Sequence, residues 1–127
     1  MLTFRQAVEA KDAAALETLL ADDVVFTSPV AFKPYQGKAI TGAILRGVLR
    51  VFEDFRYVRE IADGANHVYE FEASVDGLRI NGVDILTFDD DGKIADFKVM
   101  VRPLRAAEAL AARMGAQFEA IKADAVK

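Results

Sequence analysis

Ile80-Asn81-Gly82-Val83-Asp84-Ile85-Leu86-Thr87-Phe88-Asp89-Asp90-Asp91-Gly92-Lys93-Ile94 is the stretch on which the fold turns. Its first nine residues alternate as a half-buried strand does, so Ile80, Asp84, Leu86 and Phe88 share one face. That face is the apolar one, and Asp84 interrupts it. An ionised carboxylate taken out of water is costly unless paired, so such a group finds a partner or keeps its proton.

Working backward from Asp84, Asp76-Gly77 has the residues of a two-residue hairpin turn with positive backbone φ at both positions. That turn pairs Val75 with Leu78, Ala73 with Ile80, Phe71 with Gly82 and Tyr69 with Asp84, so Tyr69 is the predicted cross-strand neighbour. Working forward, a four-residue loop Asp89–Gly92 sets Phe97 beside Asp84. Ala95, Phe97, Val99 and Val101 then face inward, and Asp96, Lys98 and Arg102 face outward. A three-residue loop would put Lys98 beside Asp84 instead.

The rest of the chain reads as helices followed by strands. Phe4, Ala7 and Val8 share a helical face, and Asp12 caps a second helix from Ala13 to Leu20. A short strand, Val24 to Ser28, precedes a loop from Pro29 to Gly37. A third helix carries Ile40, Ile44, Val48 and Val51 at helical spacing. From Phe55 the period becomes two, with Phe55, Tyr57 and Ile61 alternating against Arg56 and Glu60. Strands Asn66–Val75, Leu78–Phe88 and Ile94–Arg102 follow, and Pro103 ends the last. A C-terminal helix places Leu104, Ala107, Leu110, Met114, Phe118 and Ile121 on one stripe.

Composition narrows the function classes. A chain of 127 residues, 53% hydrophobic and 28% charged, fits one globular domain spanning residues 1–127. It has no cysteine and one histidine, which leaves transition-metal ligation unsupported, and no cofactor motif is present. A net charge of −4 without a basic cluster argues against nucleic acid. No apolar run is long enough for a membrane span, and no signal segment opens the chain, so cytoplasmic residence is expected.

With its three N-terminal helices, its proline-containing loop and the run Gly82 to Ile94, the chain resembles the nuclear transport factor 2-like superfamily, close to its SnoaL-like and ketosteroid isomerase-like branches. The resemblance covers Phe4 to about Arg102 and implies an α+β cone: three helices packed in the concave face of a highly curved, mostly antiparallel sheet, with the C-terminal helix added. It also implies a deep apolar pocket. Mapped onto the isomerase pattern, Asp84 takes the place of a carboxylic acid kept neutral by apolar surroundings so that it can donate a hydrogen bond to an enolate oxygen. The pattern's general base falls at Ser28, and its supporting tyrosines fall at Phe4, Leu20 and Leu45. A hydroxyl with no neighbouring base cannot abstract a proton at neutral pH, so steroid isomerisation is not expected.

The candidate site is therefore Asp84 as acid or hydrogen-bond donor, with Phe26, Ser28, Tyr57, Tyr69, Phe88, Phe97, Val99 and Val101 as ligand-binding residues. Two readings of Asp84 stand side by side: a ligand-facing acid, or a structural carboxylate satisfied by Tyr69 or buried water. If desolvation dominates, its pKa rises; a charged partner such as Lys98 would lower it. His67 reads as a strand-end histidine in preference to a general base. Asp89–Gly92 reads as a turn, because a calcium loop would need further ligands and a closing glutamate.

Two functions follow. One is a binder of a small apolar ligand. The alternative is an enzyme of isomerase, cyclase, dehydratase or hydrolase type acting on a small oxygen-bearing substrate. On the outer sheet face Val68, Val83, Ile85 and Met100 form an apolar centre rimmed by charge, which predicts a homodimer. The C-terminal helix is expected to pack across the cone or on the partner subunit; gating of the pocket is the other reading.

Overall fold

The computed structural model describes residues 2–126. Its elements are helices α1 (Phe4–Glu9), α2 (Ala13–Leu19), α3 (Lys38–Val51) and α4 (Leu104–Ala125), with strands β1 (Leu20–Thr27), β2 (Tyr35–Gln36), β3 (Glu53–Asp63), β4 (Asn66–Val75), β5 (Leu78–Phe88) and β6 (Ile94–Arg102). The strands form one sheet in the order β2-β1-β6-β5-β4-β3. All neighbours are antiparallel except β1 and β6. The sheet is curved and unclosed, as the α+β reading anticipates. No helix among the described residues is long and apolar enough to cross a membrane.

The short helices begin where their caps dictate. Thr3 Oγ1 accepts from Gln6 N at 3.2 Å while Gln6 Oε1 accepts from Thr3 N at 3.0 Å, a reciprocal box that starts α1. Asp12 Oδ1 accepts from Ala15 N at 3.0 Å and starts α2. α2 stops at Leu19 rather than Leu20, because Leu20 already pairs with Ile94 of β6. The first strand is thus longer than expected. The proline loop also holds a strand, β2, whose Tyr35 and Gln36 pair with Phe26 and Val25.

The β4–β5 hairpin has the expected register, from Val75 opposite Leu78 to Tyr69 opposite Asp84. Asp76 and Gly77 both have positive φ, 50° and 79°, as the two-residue turn requires. Gly82 is needed for close approach: a Cβ there would lie 2.7 Å from the Met100 carbonyl oxygen and overlap the Phe71 ring. The β5–β6 turn differs from expectation. Asp89 Oδ1 accepts from both Asp91 N and Lys93 N at 2.9 Å, which holds a longer loop, and the register shifts between Thr87 and Phe88. Asp84 therefore lies opposite Val99, not Phe97 or Lys98. From Phe97 onward the inward set survives because the change preserves parity: Phe97 is buried, Val99 and Val101 half-buried, Lys98 exposed; Ala95 is the extra residue at the shift, and Ile94 takes the buried place expected of it.

Strand β3 departs most. Tyr57 pairs with Phe71 and Arg59 with Glu70, which leaves Val58 as the extra residue of a bulge. Beyond the bulge the facing of side chains inverts. Ile61 pairs with Val68 and is 56% exposed, on the outer face instead of the expected inner one. Helix α4 packs on α3 and on β4 to β6 of its own chain. Its buried stripe is Ala106, Leu110 and Ile121, whereas Leu104 is 76% exposed.

A candidate ligand-binding site around Asp84 and Tyr57

β5 carries Asp84 on the concave face, where it is 7% exposed. Its Oδ2 accepts a hydrogen bond from the Tyr57 hydroxyl at 2.6 Å. Tyr57 is itself 5% exposed and reaches Asp84 from two strands away, since β4 lies between β3 and β5. Two irregularities of the β3–β4 pairing, one on each side of Tyr57, fix that strand's course. Tyr69, the cross-strand neighbour of Asp84, has a different partner. Its hydroxyl lies 3.2 Å from His67 Nδ1, and its ring packs on Phe4 and Tyr57, with centroids 5.1 and 5.6 Å away.

Burial dominates the electrostatics. It pushes the Asp84 carboxyl up from 3.8 to about 7, against the smaller opposing pull of the Tyr57 hydrogen bond. The Tyr57 hydroxyl is held well above its ordinary value, first by burial and then by the Asp84 charge. Lys98, the cation that could have paired with Asp84, sits opposite Ile85 on the other face. Near neutral pH the carboxyl is thus poised between its two forms. In the protonated form it accepts from Tyr57 on one oxygen and has a donor on the other.

Asp84 and Tyr57 open onto an apolar cavity of about 70 Å³. With about 10–15 Å³ needed per water, this is room for a few waters or one small molecule. Among the expected ligand-binding residues, Phe26, Ser28, Tyr57, Phe97 and Val99 border it together with Asp84. Tyr69, Phe88 and Val101 do not form its walls. Phe88 stands at the end of β5, edge-on to His67 with centroids 4.8 Å apart. Val101 lies two residues farther along β6 than Val99 and packs into the core. Ser28 Oγ accepts from Val30 N at 3.1 Å, a local turn bond.

Reading the strands alone missed the walls supplied by other elements. Phe4 of α1, Val48 of α3, Phe52 just after α3, Phe55 of β3, and Leu110 and Met114 of α4 all line the cavity. For the helical residues the signal was the apolar face of each helix, which is the same for a side chain in the core and one at a cavity. Phe4 stands where the isomerase pattern has a tyrosine, its ring 6.2 Å from that of Tyr57. Among the described residues no group of three or more His, Asp or Glu side chains comes together to hold a metal ion.

Comparison with known families matches residues 2–97 to the SnoaL-like domain. No curated protein matches. Among solved structures, the chain is 44% identical to one described as a steroid delta-isomerase from Pseudomonas aeruginosa, covering 92% of this chain and 87% of that one with a TM-score of 0.86. It is 34% identical to an uncharacterised protein with a cystatin-like fold from Silicibacter pomeroyi, covering 91% and 82% with a TM-score of 0.88. A cystatin-like protein of unknown function from Xanthomonas campestris, at 24% identity and a TM-score of 0.67 over 84% and 90% of the two chains, shares the fold.

Proposed function

We propose that this chain, which belongs to the family of SnoaL-like domains in the nuclear transport factor 2-like superfamily, binds a small apolar molecule bearing one oxygen acceptor. The ligand's apolar body lies against Phe26, Phe97 and Val99, and protonated Asp84 donates a hydrogen bond to its oxygen. The observation that carries this reading is the 2.6 Å bond from Tyr57 to Asp84 at the wall of an apolar cavity. Tyr57 occupies one carboxyl oxygen and fixes the rotamer, so the other is aimed for a guest.

A second, catalytic reading draws support from the Pseudomonas aeruginosa protein described as a steroid delta-isomerase and from the Asp84 carboxyl near neutrality, at about 7. In that reading Asp84 is an acid for a small ketone or alcohol. Steroid isomerisation itself is not included: Ser28 stands in the base position, and a 70 Å³ cavity is far below the roughly 300 Å³ at which pockets for drug-sized ligands begin.

The same proposal places the protein in the cytoplasm as a homodimer joined through the outer sheet face. There Val68, Val83, Ile85 and Met100 are joined by Ile61, and Met100 and Ile61 are about half-exposed, at 50% and 56%. Native mass spectrometry of the purified protein, with NMR titration of acetone at pH 5, tests the ligand reading. Saturable shifts at Asp84 and Tyr57, weakened at least tenfold by Asp84→Leu, are expected. Saturable binding that is indifferent to that change removes Asp84 from the site.

A further inference from the structure

The family match ends at residue 97, yet part of the cavity wall comes from beyond it. Leu110 and Met114, one turn apart on α4, both face the cavity. We propose that α4 sets the size of molecule this cavity admits and that Met114 is the residue fixing the limit, an inference that rests on the ligand-binding reading above.

The helix is seated close on α3 and tied to its neighbours at several points. A Cβ at Gly47 of α3 would lie 2.9 Å from Ile121 Cδ1 and 3.5 Å from Met114 Cε, so the two helices meet where α3 has no side chain. Arg46 Nε donates to Asp124 Oδ2 at 2.7 Å, and Arg50 Nε to Gln117 Oε1 at 3.1 Å. Arg113 Nη1 donates to Asp76 Oδ1 at 2.7 Å, which ties the middle of α4 to the β4–β5 turn. With the helix tied at these points, the side chains are the part of the wall that yields first.

Those two side chains differ in what they can yield. Leu110 is 2% exposed and part of the core. Met114 is half-buried, unbranched and able to change rotamer, so it is the adjustable part of the wall. The present 70 Å³ is about half the roughly 150 Å³ of an apolar cavity that accepts benzene. Shortening Met114 to Ala removes three heavy atoms from a wall whose backbone is held, and such space collapses only in part.

The test is NMR titration of the full chain at pH 5 with two ketones of different bulk, acetone and cyclopentanone. Wild type is expected to bind acetone and to bind cyclopentanone no more tightly, although the latter carries two more carbons. Met114→Ala should tighten cyclopentanone at least tenfold, since each newly buried methylene contributes about fourfold, and Met114→Leu should keep the wild-type ranking. Because Met114→Ala could unfold, Met114→Phe supplies a second measurement, in which acetone binding should fall at least tenfold. Wild type that binds acetone, with a size ranking indifferent to residue 114, overturns the size limit alone. A folded wild type that binds neither ketone overturns the ligand-binding reading, and the size limit with it.

Discussion

Asp84→Asn should leave the fold in place while changing how stability depends on pH. The side chain keeps its shape and its carbonyl still accepts from Tyr57, but it has no proton to lose. In the wild type the native state holds the Asp84 proton more tightly than the unfolded chain does, with a pKa of about 7 against 3.8. The associated stability is therefore complete below about pH 4 and is lost as pH rises through about 7. At about 1.4 kcal/mol per tenfold in proton affinity, the loss amounts to about 4 kcal/mol. The other carboxylates are common to both proteins and cancel in the difference. Urea unfolding of both at constant ionic strength, from about pH 3 to 9, should give a variant-minus-wild-type stability that is flat below about pH 4. It should then climb by about 4 kcal/mol and level above pH 8, with equal m-values. Profiles that stay parallel within about 1 kcal/mol would refute the desolvation account. A difference of opposite sign would mean that Asp84 is held charged by a partner.

Tyr57→Phe removes the hydrogen bond that opposes burial, so the Asp84 midpoint read by carboxyl ¹³C NMR should move above about 7. The unsatisfied oxygen should cost about 1–3 kcal/mol; a midpoint moving down would sink the assignment. Gly82→Ala forces a Cβ against the Phe71 ring and the Met100 carbonyl, which predicts a loss of about 1–3 kcal/mol in urea unfolding. Unchanged stability would show that the β4–β6 rows separate more readily than their register implies. For the outer face, light scattering at micromolar concentration should give a dimer for the wild type and a monomer for Ile85→Asp. A wild-type monomer, or a mass unaffected by the substitution, contradicts that interface.

How much was legible follows from the range of each signal. Asp76-Gly77 is a two-residue turn with one favoured geometry, so the whole β4–β5 register could be counted from it. The inward facing of Asp84 and Phe97 came with that count and with the alternation of β6. The partner of Asp84 did not. Pairing along a hairpin names the nearest strand, whereas the hydroxyl that reaches Asp84 comes from the strand after it. Val58 as a bulge leaves no mark in Phe55-Arg56-Tyr57-Val58-Arg59, where alternation continues on paper past the point at which it inverts in space. The longer β5–β6 loop was hidden for a related reason: Asp89 caps two amides at once, and three consecutive aspartates do not reveal which one does so. The cavity walls from α1, α3 and α4 were readable only as apolar stripes, because a side chain at a void and one in solid packing obey the same periodicity.

Tyr57 belongs to the outermost strand of the sheet, with β4 on one side and no strand on the other. Local openings that stop short of global unfolding are open to a strand with one free edge. Such an excursion of β3 would take the hydroxyl away and let water reach Asp84 as well, and because burial is the larger influence the carboxyl would then give up its proton more readily. The acidity of the site is thereby linked to the closure of the sheet margin. Amide exchange at Arg56 and Tyr57 should therefore rise as the Asp84 midpoint falls across any series of substitutions that loosen β3. A residue that never touches a guest molecule could thus tune its capture by loosening or tightening that margin.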